Sequence, residues 1–128
     1  MEKDNFLASR RGKYGEDIAR RLLDGKGYEI LAARYRAGGG EADIIARDGG
    51  TVAFIEVKYR KTLAFGFPRE SVTPEKRRRI RAAALAYTAE NGSESGFPYD
   101  IRFDVIEIIG QDAFTVEHIE NAFTCDDI

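Results

Sequence analysis

Cysteine occurs once in the 128 residues, at Cys125, and histidine once, at His118. A single cysteine closes no intrachain disulfide, so the composition points to a reducing compartment, the cytoplasm. One Cys and one His also fall short of a structural zinc site. Cys125, close to the C-terminal end, is a poor candidate for a Cys/His nucleophile pair. Long apolar runs are missing as well. The longest, Ala82 to Tyr87, is far short of the ~20 residues that span a membrane, so no membrane partner is expected. The N-terminal stretch MEKDNFLASRRGK has no apolar core and predicts no secretory signal. Repeats and low-complexity segments are also lacking.

What is present is globular. Hydrophobic residues make up 43% and charged residues 33%, which excludes a disordered chain. The length suits one domain that buries roughly two-thirds of its unfolded surface. We expect a flexible start over residues 1–11, a single domain over 12–123 and a tail over 124–128. The net charge of -2 conceals a split. Residues 1–89 sum to +7 and residues 90–128 to -9. A basic body suits a polyanion such as nucleic acid, although a solvated mixed surface has the same composition.

The pattern predicts the order α-β-β-β-α-β-β. The first helix should run from Gly12 to Lys26, with Tyr14, Ile18, Ala19, Leu22 and Leu23 inward and Gly27 ending it. Gly15, on the same face, would let that helix approach another backbone closely. A strand follows over Tyr28–Arg36, then a glycine-rich turn to Gly40. Two further strands, Glu41–Arg47 and Thr51–Arg60, flank Asp48-Gly49-Gly50, whose glycines accept the positive φ of a tight hairpin. Residues from Leu63 to Val72 read as a loop. Thr73 caps a second helix, with Pro74 in its first turn, ending near Glu90. The last strands are Tyr99–Ile109 and Ala113–Ile119. Three meandering strands, a helical crossover and a further strand imply a mixed α/β sheet flanked by helices.

Charge placement within this frame is informative. Glu56, Lys58 and Arg60 alternate along an otherwise apolar strand and share one face. With Gly49 and Gly50 at the hairpin turn, paired positions sum to 99. Ile44 then opposes Ile55, Ile45 opposes Phe54, Asp43 opposes Glu56 and Glu41 opposes Lys58. Two carboxylates so placed repel, and the pKa of Asp43 or Glu56 should rise, with Lys58 offsetting part of the shift. A divalent cation between them removes the conflict, and hard oxygen ligands suit Mg²⁺ or Mn²⁺. A surface ion-pair network is the alternative reading. Glu16 lies at the margin of the first helix's apolar face, where it could hang toward Asp43 or merely favour the helix dipole.

These residues resemble the PD-(D/E)xK nucleases of the restriction-endonuclease-like superfamily, with Asp43 on one hairpin strand and Glu56-Val57-Lys58 on the next. Glu16 matches the helix acid of archaeal Holliday junction resolvases. Gly15-Glu16-Asp17, Gly40-Glu41-Ala42-Asp43-Ile44-Ile45, Phe54-Ile55-Glu56-Val57-Lys58-Tyr59-Arg60, Arg102-Phe103-Asp104-Val105 and Asn121-Ala122-Phe123 resemble the YraN family of small bacterial proteins, described as predicted endonucleases. The likeness spans residues 12 to 123. It implies a restriction-endonuclease-like fold and Mg²⁺- or Mn²⁺-dependent cleavage of DNA, on branched or structured substrates, by a homodimer. Asp43, Glu56, the Val57 carbonyl and Glu16 would hold metal, and Lys58 would orient the attacking water. Asp24-Gly25-Lys26 has the same triplet spacing but no partner acid.

The second helix opens with Lys76, Arg77, Arg78, Arg79 and Arg81, which wrap around it and could meet phosphates together with Arg60. A solvated helix start is the alternative. A non-catalytic nucleic-acid-binding module with the same fold is the rival function. Glu41 is read as a salt-bridge or outer partner of Lys58. Arg102 and Asp104 are expected to pair with each other, and His118 to be structural. Gly38-Gly39-Gly40 lacks the GK[ST] ending of a phosphate-cradling loop.

Overall fold

The computed structural model describes residues 2–60, 72–110 and 113–124, with side chains from Tyr14 onward. Helix α1 covers Glu2–Gly25, β1 Glu29–Ala37, β2 Gly40–Asp48, β3 Thr51–Arg60, α2 Pro74–Asn91, β4 Asp100–Gly110 and β5 Phe114–Phe123. This is the mixed α/β order that the sequence predicts. Two element boundaries differ by more than one residue. Helical backbone begins at Glu2 rather than Gly12, because residues 2–11 contain neither proline nor glycine to interrupt it. Strand β5 continues past Ile119 to Phe123. Its continuation passes an irregularity in the pairing with β4, near which Asn121 takes φ 54°, a conformation asparagine tolerates. Most of the expected loop before α2 (residues 61–71), the turn residues 111–112 and Cys125 lie outside the described residues.

The five strands form one sheet in the order β1-β2-β3-β4-β5. All neighbours are antiparallel except β3 and β4, which α2 connects in parallel. The β2–β3 hairpin holds the expected register, with Ile44 opposite Ile55, Ile45 opposite Phe54 and Asp48 opposite Thr51.

Period-two alternation divides the sheet residues between two helical layers. Ala19 and Leu23 of α1 pack on Ile44, Ala46, Ala53, Ile55, Ile106 and Ile108. Ile80, Ala83 and Ala84 of α2 pack on Ile45, Val52, Phe54, Phe103 and Val105. A Cβ at Gly15 would meet Ile108 and Tyr59 at 3.5 and 3.7 Å. α1 therefore lies on the sheet as expected, although that space would accept a methyl group. Gly27, at φ 84°, terminates α1 while Tyr28 N–H donates to the Leu23 carbonyl at 2.9 Å. Thr73 caps α2 by accepting from Lys76 N–H at 3.3 Å, and Pro74 follows it.

Gly40 serves more than the turn. A Cβ there would strike the Arg79 carbonyl and the Ala83 nitrogen, and would reach the Ala82 Cβ at 2.8 Å. Its bare backbone lets the first half of α2 press onto the start of β2. That contact brings Lys76 and Arg79 to the acidic end of the hairpin. Among the described residues, no helix is long and apolar enough to cross a membrane.

Candidate functional site

Because β3 alternates, Val52 and Phe54 face α2, and Glu56, Lys58 and Arg60 continue on that face beyond the apolar core. The paired ladder between β2 and β3 ends at Ile44/Ile55. In place of the next rung, the Asp43 carboxylate turns toward β3 and accepts Val57 N–H at 2.8 Å. An extended residue presents its N–H and C=O to the same neighbour, so the Val57 carbonyl also faces the β2 side.

Asp43 and Glu56 lie close enough for their carboxylates to interact electrostatically. Each therefore bears on the other's ionisation, and both carboxyls lie above their ordinary range. Burial, and then repulsion from Glu56, pushes Asp43 up to about 7, against the pull of Val57 N–H. Burial also raises Glu56, and the Lys76 ammonium is the largest counterweight. The raised carboxylates were expected. The leading role of Lys76 was not: it sits 3.7 Å from Glu56, while Lys58 lies 3.5 Å from the same carboxylate.

The other candidates divide between this centre and other partners. Glu41 does not face Lys58, because the ladder ends before that pair would form. It pairs with Arg36 at 3.4 Å and Arg79 at 3.6 Å. Glu16 is bound by Arg34 at 2.9 Å. Arg34 also feels the charges of Asp17 and Asp43. Arg60 forms an ion pair with Glu107, which is fully buried on β4. Arg77 donates to the Val72 carbonyl at 3.1 Å and lies 5.5 Å over the Phe123 ring. Arg78 and Arg81 are exposed, and the Arg79 side chain is half exposed. The described residues hold no group of three His, Cys, Asp or Glu side chains arranged around a common point.

A second polar cluster lies on the α1 side. Asp104, fully buried, accepts from Arg102 Nε and Nη2 at 2.8 and 2.9 Å, from His118 Nε2 at 2.8 Å and from Asn121 N–H at 3.0 Å. The Lys26 ammonium faces His118 Nδ1 at 2.8 Å. It can only donate, so Nδ1 accepts and Nε2 carries the proton given to Asp104. Burial alone would raise Asp104, but the bonds from His118, Arg102 and Asn121 outweigh it and hold the carboxyl below its usual range. Arg102 and Asp104 pair as read from the sequence, and His118 is a structural residue. The involvement of Tyr28, Lys26 and Glu120 is not visible in the sequence, since they lie 74 to 94 positions from their partners.

The mixed sheet with an Asp-x₁₂-Glu-x-Lys hairpin places the chain in the α/β class that the sequence predicts. Residues 15–108 match the model of "Uncharacterised protein family UPF0102". A UPF0102 protein of Geobacter sulfurreducens is 46% identical over 114 residues, 88% of this chain and 87% of the relative. One from Chlorobium phaeobacteroides is 44% identical over 126 residues, covering 93% and 98%. One from Nocardia farcinica is 48% identical over 98 residues, covering 77% and 75%. The chain belongs to UPF0102, the YraN family that its motifs resemble.

Proposed function

We propose that this protein is a metal-dependent endonuclease that hydrolyses DNA phosphodiester bonds. The observation that carries this reading is the Asp43/Glu56 pair, two carboxylates forced together at the margin of the core with Lys58 beside them. The donor set fits a hard divalent cation. Asp43, Glu56 and the Val57 carbonyl offer oxygen only, and Mg²⁺ commonly binds through one or two carboxylates plus water and phosphate oxygens. Glu16 is the weakest member of the proposed set because Arg34 already engages it.

When bound, Mg²⁺ or Mn²⁺ would acidify a water and polarise the phosphodiester. The chain's own residues do the rest. Lys58 orients the nucleophile and offsets charge that develops on the phosphate. Lys76 sets the charge on Glu56. Arg78, Arg79 and Arg81 contact the phosphate backbone, and the Arg60 guanidinium, paired with Glu107, supports the same face. Branched or structured DNA as substrate, a homodimer as the acting species and a cytoplasmic location complete the reading, on the strength of the resolvase likeness.

The lack of a third described ligand beside the acid pair favours one rival, a nucleic-acid-binding module that does not cut. A nuclease assay with Mn²⁺ on linear, single-stranded and four-way-junction DNA, run beside Glu56→Ala, separates the two. Cleavage by the wild type that Glu56→Ala abolishes is the expected result. Binding without cleavage on every substrate selects the rival.

A further inference from the structure

The α2 face of the sheet carries a concavity at the end of β3 away from the acid pair. It begins at Val52, about 13 Å along the strand from Glu56 at the usual rise per residue. The cleft has a volume of about 260 Å³ and is walled by Tyr87 of α2 and by Phe97 and Tyr99 of the segment entering β4. We propose that this cleft takes an unpaired nucleobase of a bound strand. The proposal rests on the nucleic-acid part of the function proposed above and not on cleavage.

Three features lead to that ligand. The first is the aromatic wall. Tyr87 and Phe97 meet edge to face at 6.2 Å, and Phe97 and Tyr99 do so at 5.6 Å. All three rings pack against the α2-side core and remain partly exposed, and exposed aromatic surface is a platform on which bases stack. The second is charge. The Arg47 guanidinium lies 5.4 Å over the Tyr99 ring and is tied to Glu29 at 2.7 Å. The pair is neutral as a unit, so the cleft offers no net positive charge for a phosphate. It suits an uncharged planar group whose edge makes hydrogen bonds. The third is the rim. Asn91 donates one amide hydrogen to the Tyr87 carbonyl at 2.9 Å. This holds the side chain in place and leaves its oxygen and second hydrogen as the acceptor–donor pair that a base edge requires. The volume lies just below the range of drug-sized sites, which suits a single ring system. On this arrangement the outward arginines of α2 hold the sugar–phosphate backbone, and the cleft beside the end of that helix takes a base.

The test compares a short oligothymidylate strand with an abasic strand of the same length, in EDTA, with affinity read by anisotropy. The wild type should bind oligothymidylate roughly 5- to 100-fold more tightly than the abasic strand, the range that stacking provides. The double variant Phe97→Ala/Tyr99→Ala should lose that preference while keeping its affinity for the abasic strand. Tyr99→Phe, which keeps the ring, should retain the preference. Asn91→Ala, exposed at the end of α2, serves if the double variant fails to fold, and should reduce the preference several-fold. Equal binding of both strands by the wild type overturns the proposal, as does a preference that survives in the double variant and in Asn91→Ala. Failure to bind either strand overturns the nucleic-acid reading together with it. Failure to cleave, assayed separately with metal, leaves the proposal standing.

Discussion

The raised Asp43 carboxyl at the hairpin makes stability depend on pH in a way that one substitution should abolish. In the native protein Asp43 titrates at about 7 instead of 3.8. Between those values the folded chain holds a proton that the unfolded chain has released. The linkage sign follows: the contribution is greatest below the unfolded pKa and is lost as pH rises through about 7. Each unit of displacement corresponds to ~1.4 kcal/mol. The Asp43 displacement sets a ceiling of about 4 kcal/mol, which partial exposure and sharing with Glu56 reduce. Asp43→Asn keeps the size, the acceptor for Val57 N–H and a donor for Glu56, and removes one charge. Urea unfolding of both proteins in chelator, from pH 4 to pH 8, reads the effect. The two should be nearly equal at pH 4. The variant should become the more stable by about 1–4 kcal/mol at pH 8. A stability difference that does not change with pH would refute the raised Asp43 carboxyl.

Asp104→Ala should destabilise by about 3–5 kcal/mol, because Arg102 and His118 lose the carboxylate they surround. Since Asp104 is held below its usual range, its contribution is present above the unfolded pKa and lost as pH falls toward the lowered native value. An acid titration of unfolding that matches that of Asp104→Ala would contradict this. Gly40→Ala should cost about 1–3 kcal/mol in urea unfolding by forcing α2 off β2. Lys58→Ala should leave divalent-cation binding intact and reduce cleavage roughly 100- to 1000-fold, as measured under single-turnover conditions.

Local chemistry was legible in the sequence where it determines structure locally. The two glycines at 49 and 50 and the alternation on either side set the hairpin register, and Thr73-Pro74 marked the start of α2. The facing of Glu56 and Lys58 toward α2 follows from the same period. What escaped depends on where strands part and helices land. The ladder stops at Ile44/Ile55, so Asp43 bonds to Val57 N–H and Glu41 turns to Arg36 and Arg79. Nothing in the local pattern signals that ending. Lys76 and Arg77 were read with the other cations of α2. Docking through Gly40 instead places Lys76 on Glu56, and Arg77 folds inward onto Phe123. Strand β5 runs past the predicted Ile119 through an irregularity in its pairing, where Asn121 adopts a left-handed conformation that the local pattern does not signal. The Asp104 cluster and the aromatic cleft unite residues from distant elements, and only tertiary packing assembles them.

The central claim, that the acid pair is a divalent-cation site, is tested most directly by calorimetric titration of the metal-free protein with Mg²⁺ and Mn²⁺ near pH 6.5, in buffers of different ionisation enthalpy. With Asp43 raised to about 7, its carboxyl is largely protonated at that pH, and a cation entering between Asp43 and Glu56 must displace that proton. The account predicts saturable binding that releases up to about one proton per ion in the wild type, is weakened in Asp43→Asn and is retained in Lys58→Ala. Absence of saturable binding, or binding that is unchanged by Asp43→Asn and independent of the buffer, would contradict it.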